Sequence, residues 1–102
     1  MGFNGNSHTN EKPHHLYIIF DKETGDIDKY GISADPIEED GLSARIKTQL
    51  ELFNRIARWH RFYAIVLHQN IDGRVAARAL EKQYIDNYLA FYGYRPPGNK
   101  IS

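Results

Sequence analysis

His15–Ser33 reads HLYIIFDKETGDIDKYGIS, and the placement of its turn decides the fold. His15 to Phe20 is rich in β-formers, Ile27 to Ser33 supplies a second strand, and Asp21 to Asp26 carries turn chemistry. The expected closure puts Gly25 at the left-handed position of a three-residue hairpin loop. That sets Lys22 opposite Asp26 and Tyr17 opposite Gly31. Alternation along the strands then sorts the side chains. Leu16, Ile18, Phe20, Tyr30 and Ile32 share the face expected to form the core, and Tyr17, Ile19, Lys29 and Gly31 share the other. A slip of one residue would exchange the faces of one strand.

Downstream, Asp35 to Gly41 (DPIEEDG) is an acidic loop interrupted by Pro36. A helix is expected to start at Asp40 or Ser43, either of which can cap it. Leu42, Ile46, Leu50, Phe53 and Ala57 recur at helical spacing, with Arg45 beside that stripe. Phe62 to Leu67 is an apolar run of strand length, closed by Asn70 to Gly73. Asp72 is the expected N-cap of a second helix from about Arg74 to Tyr92, with Ala76, Leu80, Tyr84, Asn87 and Phe91 on one face. Gly93 is placed to end that helix, and Pro96-Pro97 prevent its continuation. The order is β-β-α-β-α. The expected class is α/β (α+β): a three-stranded antiparallel sheet flanked by helices. Residues 1–13 are polar and glycine-bearing and read as a flexible leader before a domain spanning 14–102.

The chain of 102 residues, 41% hydrophobic and 25% charged, has room for one domain with a single modest core. No apolar run approaches the roughly 20 residues of a membrane span. The polar start lacks the apolar segment of a signal peptide. With no cysteine, disulfides, thiolate metal sites and cysteine nucleophiles are excluded. Lys plus Arg and Asp plus Glu balance at 13 each, which counts against attachment to nucleic acid by bulk charge. The distribution is uneven. Acidic residues crowd positions 21 to 40, and Arg45, Lys47, Arg55, Arg58 and Arg61 follow almost unopposed. Such segregation can give a neutral protein a basic face, although charge alone also describes an ordinary solvated helix surface.

Several residues together resemble the GIY-YIG nuclease superfamily. His15-Leu16-Tyr17 sits where that family has its first tripeptide and Lys29-Tyr30-Gly31 where it has its second, at the usual spacing. Arg45 follows in the next helix, Glu81 in a later one, and Asn99 after the final loop. The stretches Lys29–Pro36, Glu38–Ser43 and Arg95–Asn99 are also similar to C-terminal nuclease domains of bacterial polymorphic toxins of the Rhs or contact-dependent type. The chain departs from the superfamily pattern in keeping only Tyr17 of the first tripeptide and in having Lys29 where the second usually has tyrosine. The acidic insert also lengthens the path from Gly31 to Arg45.

The resemblance implies a divalent-metal-dependent endonuclease with Tyr17, Lys29, Arg45 and Glu81 as catalytic groups. It places Gly31, Tyr30, Ser33, Lys47 and Asn99 at the substrate. Glu81 would hold one Mg²⁺ or Mn²⁺ with several waters retained, and the ion would stabilise the leaving 3′ oxygen. Tyr17, its phenol made more acidic by the metal or by Lys29, would act as general base on water. Arg45 offers a planar, permanently charged fork for phosphoryl oxygens. Asn99 would orient the site or hydrogen-bond the nucleic acid.

Each residue has an ordinary alternative. Tyr17 alone could be a half-buried strand tyrosine, Arg45 a surface arginine, Lys29 an exposed lysine, and Glu81 a partner for Arg78 three residues earlier. Gly31 could serve only close approach, and Asn99 beside Gly98 only a turn. The histidines read as solvated or structural. His14 and His15 point to opposite faces of a strand, His60 and His68 lack chelating spacing, and only His15 lies near Tyr17. No glycine-rich phosphate loop is present.

Three functions compete: a toxin nuclease, a restriction, repair or mobile-element nuclease, and a non-enzymatic α/β interaction module. The toxin reading expects nucleic acid as partner, DNA favoured over RNA, and a cognate immunity protein. It expects action in the cytoplasm of a target cell after delivery within a larger secreted protein.

Overall fold

The computed structural model describes residues 12–99. Three strands, β1 (His14–Asp21), β2 (Asp26–Ser33) and β3 (Phe62–Ile71), form an antiparallel sheet in the order β2-β1-β3. Helix α1 (Ala44–Ala57) precedes β3, helix α2 (Arg74–Tyr92) follows it, and a short 3₁₀ turn spans Pro97–Asn99. The class and the β-β-α-β-α order are those expected. Most of the leader lies outside the described residues; Lys12 and Pro13 are exposed and precede the first strand.

The hairpin keeps the expected pairing of Tyr17 with Gly31 but reaches it differently. Asp21, not Lys22, pairs with Asp26, so four residues form the loop. Gly25 takes the left-handed conformation at φ 73°. The register then shifts by one between Ile19 and Phe20, leaving Asp28 as an extra residue in β2. A bulge of this kind inserts one residue on one strand. The longer loop and the bulge cancel, and from Ile19–Lys29 onward the pairing is as the sequence indicates.

The single core is replaced by two. Tyr17, Ile19 and Ile46 are buried on one face of the sheet, with Leu50, Phe53, Phe62, Ala64 and Val66 packed around them. Ile18, Tyr30 and Tyr88 are buried on the other, with Phe20, Ile27, Tyr84 and Ile85. The strand faces are sorted as expected, but both are covered, because α1 lies over one and α2 over the other. β1 is central and nearly fully buried, which is why its sequence is apolar on both faces instead of alternating.

Ser43 caps α1 by accepting from the Ile46 N–H at 3.3 Å, and its hydroxyl also meets that of Ser33 at 2.9 Å. Asp40 instead accepts from Leu42 N within the loop. Helix α2 starts after Gly73, not Asp72, with no side-chain cap, and ends at Gly93 in the left-handed region. Its inward stripe is turned by one residue from the expected one. Ala77 and Tyr88 are buried and Glu81, Tyr84 and Ile85 half-buried, whereas Phe91 is 81% exposed.

At the far end of β1, buried Asp21 takes two hydrogen bonds of 2.8 Å from the Arg61 guanidinium. This paired geometry is the strong form of a carboxylate–arginine contact, and it holds the Asp21 carboxyl below its usual pKa. A carboxylate whose pKa is depressed by folding contributes stability above its unfolded pKa and loses it as pH falls. Asp21→Asn is therefore expected to cost about 1.5–3 kcal/mol near neutral pH. The variant should also lose less of its remaining stability than the parent between about pH 5 and pH 2. Urea unfolding followed by circular dichroism across that range checks both statements.

Candidate active site

Strand alternation puts Tyr17 on the α1 side of the sheet, and the cross-strand partners Gly31 and Lys29 share that side. The Tyr17 ring lies directly on Gly31. A Cβ at position 31 would fall inside the ring, 2.8 Å from Cε1. Gly31 thus provides the floor under the ring. The phenol is 2% exposed and donates its proton to Gln49 Oε1 at 2.5 Å. Gln49 lies one helical turn after Arg45, so a single flank of α1 presents both toward β1. The Arg45 backbone N–H is held by Asp35 Oδ2 at 3.0 Å, which fixes the start of that flank.

Glu81 approaches from the inward stripe of α2. Lys29 and Glu81 lie within electrostatic reach of one another, Tyr17 within reach of Arg45 and Glu81, and Lys29 within reach of Arg45. Four chemically different groups from four elements thus act on one another by charge. Burial dominates all three that titrate there. It raises the Tyr17 phenol, with Arg45 pulling it down and Glu81 pushing it further up. It raises the Glu81 carboxyl against the opposing charges of Arg78 and Lys29. It lowers the Lys29 ammonium against Glu81 and Asp28. Each group is displaced toward its uncharged form.

The structural ion pairs behave in the opposite way. Asp21 and Asp40 are lowered and Arg61 and Lys47 raised, in each case chiefly by a hydrogen-bonded partner. Strained protonation of partly buried groups beside one another is characteristic of functional sites. The expectation that Lys29 makes the Tyr17 phenol more acidic is corrected: desolvation outweighs the cations around it, and in the resting protein the phenol is a donor.

Beside Arg45 opens a cleft of about 350 Å³, with Arg74 and Arg78 from α2, His14 from β1 and Ser33 and Asp35 from the end of β2 on its walls. Three guanidinium groups there outnumber one carboxylate, a lining suited to an anion. Gln49 and Arg74 have no part in the sequence reading, Arg78 enters it only as a partner for Glu81, and His14 only as a solvated or structural histidine. A signal existed for two of them: Arg74, Arg78 and Glu81 stand at i, i+4 and i+7 on one helix face. Arg78 acts on Glu81 by charge, but no ion pair joins them.

The other expected substrate residues are placed elsewhere. Tyr30 is buried on the opposite face, 5.4 Å from the Tyr84 ring. Ser33 borders the cleft but is 2% exposed, its hydroxyl engaged by Ser43. Lys47 is paired with Glu38 and Asp40 of the acidic loop. The Asn99 amide accepts from Tyr30 N at 2.7 Å and donates to Tyr30 O at 2.9 Å. It thereby clamps the 3₁₀ turn onto β2 next to Lys29. His15 is buried, its Nδ1 accepting from Asn70 N.

Among the described residues no three His, Cys, Asp or Glu side chains stand together as a metal-binding set. Glu81 offers a single carboxylate, three residues along α2 from Arg78 of the arginine-lined cleft. That donor set fits Mg²⁺ or Mn²⁺, which keep several waters and complete their shell with phosphate oxygens. It does not fit an ion that requires a full protein cage.

Gly31→Ala is expected to expel the Tyr17 ring from its seat and lower stability by about 1–3 kcal/mol, as overpacking does. In a Tyr17→Leu background the same change should cost much less, since neighbouring sites couple. A double-mutant cycle by denaturant unfolding measures the difference.

The chain was also compared with known proteins. No curated protein and no solved structure matches it. The model of a toxin family, described as URI fold toxin 2, matches residues 7–93. The matched span contains the hairpin, both helices, and all of Tyr17, Lys29, Arg45, Gln49 and Glu81. The chain belongs to the URI fold toxin 2 family.

Proposed function

We propose that this toxin domain is a divalent-metal-dependent endonuclease of the GIY-YIG type, cleaving phosphodiester bonds in DNA rather than RNA. The observation that carries the reading is the mutual electrostatic influence of a phenol, an ammonium, a guanidinium and a carboxylate, with the guanidinium in a cleft lined by three arginines. A non-enzymatic module would have Glu81 as a solvated residue, and its burial argues against that. Membership of a toxin family favours an effector over a restriction or repair enzyme. The domain would act inside a target cell after delivery by a larger protein, with a cognate immunity protein protecting the producer. Among the described residues no helix is long and apolar enough to cross a membrane.

In this mechanism Arg45 grips the non-bridging oxygens of the scissile phosphate, and Arg74 and Arg78 seat the strand beside it. A Mg²⁺ or Mn²⁺ ion held by Glu81 supplies Lewis-acid stabilisation of the charge developing on the leaving 3′ oxygen. Tyr17 takes a proton from the attacking water as its oxygen bonds to phosphorus and the bond to the 3′ oxygen breaks. The departing oxygen is protonated from solvent. For this Tyr17 must first lose its own proton. Glu81 is a charge opposing that loss and Arg45 one favouring it. Gln49 can serve both forms of the phenol, because its amide oxygen accepts from the phenol and its amide nitrogen can donate to the phenolate.

Tyr17→Phe is expected to slow DNA cleavage by about 10²–10⁴-fold, the usual worth of a general base. Arg45→Ala should slow it by about 10²–10³-fold. Arg45 favours the phenolate, so its removal raises the Tyr17 pKa and moves the rising limb of the pH–rate profile to higher pH. Glu81→Gln should fold normally by circular dichroism yet lose cleavage at any Mg²⁺ or Mn²⁺ concentration. Purified domain that leaves both DNA and RNA intact with either metal would sink the enzyme reading.

A further inference from the structure

Of the basic residues between positions 45 and 61, three are accounted for. Arg45 lines the cleft, Lys47 is held by Glu38 and Asp40, and Arg61 by Asp21. Arg55 and Arg58 are left, and neither has an ion-pair partner among the described residues. Both line a groove of about 780 Å³ on α1 and the turn that follows it, together with Trp59 and His60. Lys47, Glu51, Arg55 and Arg58 follow one another at spacings of four, four and three. They form a flank of α1 distinct from that of Arg45 and Gln49. With Lys47 paired to Glu38 and Asp40, Glu51 is the single carboxylate beside Arg55 and Arg58 among the described lining residues.

Two features separate this groove from an ordinary solvated face. Trp59 is 47% exposed, and its indole has no aromatic or cationic partner among the described residues. Arg58, the residue that ends α1, sits at φ 69°, ψ 21° with its N–H bonded to Asn54 O. Glycine is the usual occupant of that left-handed position because a Cβ is strained there. An arginine at this point gives up backbone stability and lines the same groove as the exposed indole.

We propose that this groove is a second nucleic-acid site, which takes an unpaired strand with one base stacked on Trp59 and neighbouring phosphates on Arg55 and Arg58. A cationic track beside an aromatic platform is how proteins bind single strands without sequence preference. A duplex hides its base faces and cannot use the platform. The α1 helix places Arg58, at the Trp59 end of the groove, about 20 Å from Arg45, at roughly 1.5 Å per residue. The site thus holds substrate away from the scissile phosphate. Its role as a substrate grip rests on the nuclease reading, but its ligand chemistry does not.

Trp59 is the only tryptophan in the chain, so its fluorescence reports on the groove directly. Titration of the full chain with oligothymidylate, in EDTA to prevent cleavage, is expected to quench that emission. A complementary duplex should quench it far less. Arg58→Gly removes the guanidinium while relieving the left-handed backbone, so the fold is kept. It should flatten the slope of log affinity against log salt by about 0.7, one phosphate contact on a single strand. Trp59→Leu should weaken binding roughly 5- to 150-fold by anisotropy of a labelled strand, and leave cleavage of a thymidine dinucleotide unchanged. Unmoved Trp59 fluorescence, equal quenching by duplex, or quenching by a phosphoserine peptide but not by the oligonucleotide would overturn the proposal. Quenching by a chain that cleaves nothing would sink the nuclease reading and leave the groove standing; cleavage without quenching would do the reverse.

Discussion

The seating of the Tyr17 ring on Gly31 is the contact on which the site depends. It requires that the two residues be cross-strand partners, and that requires the hairpin to be in one register. It also requires a residue without a side chain under the ring, which Gly31 supplies without any unusual backbone angle. Once the ring is seated, its hydroxyl can reach only what lies above β1, and that is Gln49 on α1. The same register puts Lys29 two residues away on the same face. A second glycine plays a similar part at the edge of the sheet. A Cβ on Gly98 would approach Lys29 Cβ and Asp28 Oδ2 at 2.8 Å, so the Asn99 clamp can close on β2 only because Gly98 is bare.

The fold makes room for this by covering both faces of a three-stranded sheet with one helix each. β1 is sacrificed to burial, and its odd residues serve α1 while its even residues serve α2. The arrangement leaves β3 half-dressed. Phe62, Ala64 and Val66 face α1, while Tyr63, Ile65 and Leu67 on the other face are exposed. Helix α2 lies mainly over β1 and β2 and meets β3 at His68, whose imidazole is 2.8 Å from the Tyr84 hydroxyl. The sheet is therefore asymmetric, with its chemistry gathered where α1, β1, β2 and α2 all come close and its third strand serving mainly as support for α1.

Much of this was readable before any coordinates. Strand and helix identities, the end of α2 at Gly93 and the sorting of β1 follow from alternation and from turn and capping residues. What escaped was wherever two local signals compensated or competed. The bulge at Asp28 could not be seen because the longer loop offsets it, leaving Tyr17 opposite Gly31 either way. Asp72 is a better capping residue than Gly73 in isolation, yet the chain needs φ 91° at residue 73 to turn from β3 into α2. The inward stripe of α2 was misplaced by one residue because Phe91 and Leu80 look like core and Glu81 does not. That error is informative: hydrophobicity cannot predict that a carboxylate is placed inward. The site pair Tyr17 and Lys29 was legible as a face, but Gln49 was not, since nothing in a single helix shows which polar residue will meet a buried phenol.

The protonation pattern separates what holds the molecule together from what it holds ready. Where charge serves the fold, as between Asp21 and Arg61, partners sit at hydrogen-bond distance and both groups become more firmly ionised. Around Tyr17 no such pairing occurs among the described residues, and burial pushes phenol, carboxylate and ammonium alike toward neutrality. Removing charges from water without pairing them costs stability. The cost makes physical sense if the missing partners arrive from outside, a cation for Glu81 and an anion for Arg45 and Lys29. Each would restore the charged form of the group it meets. Because Glu81 raises Tyr17 while Arg45 lowers it, a cation binding at Glu81 would also draw the phenol toward ionisation.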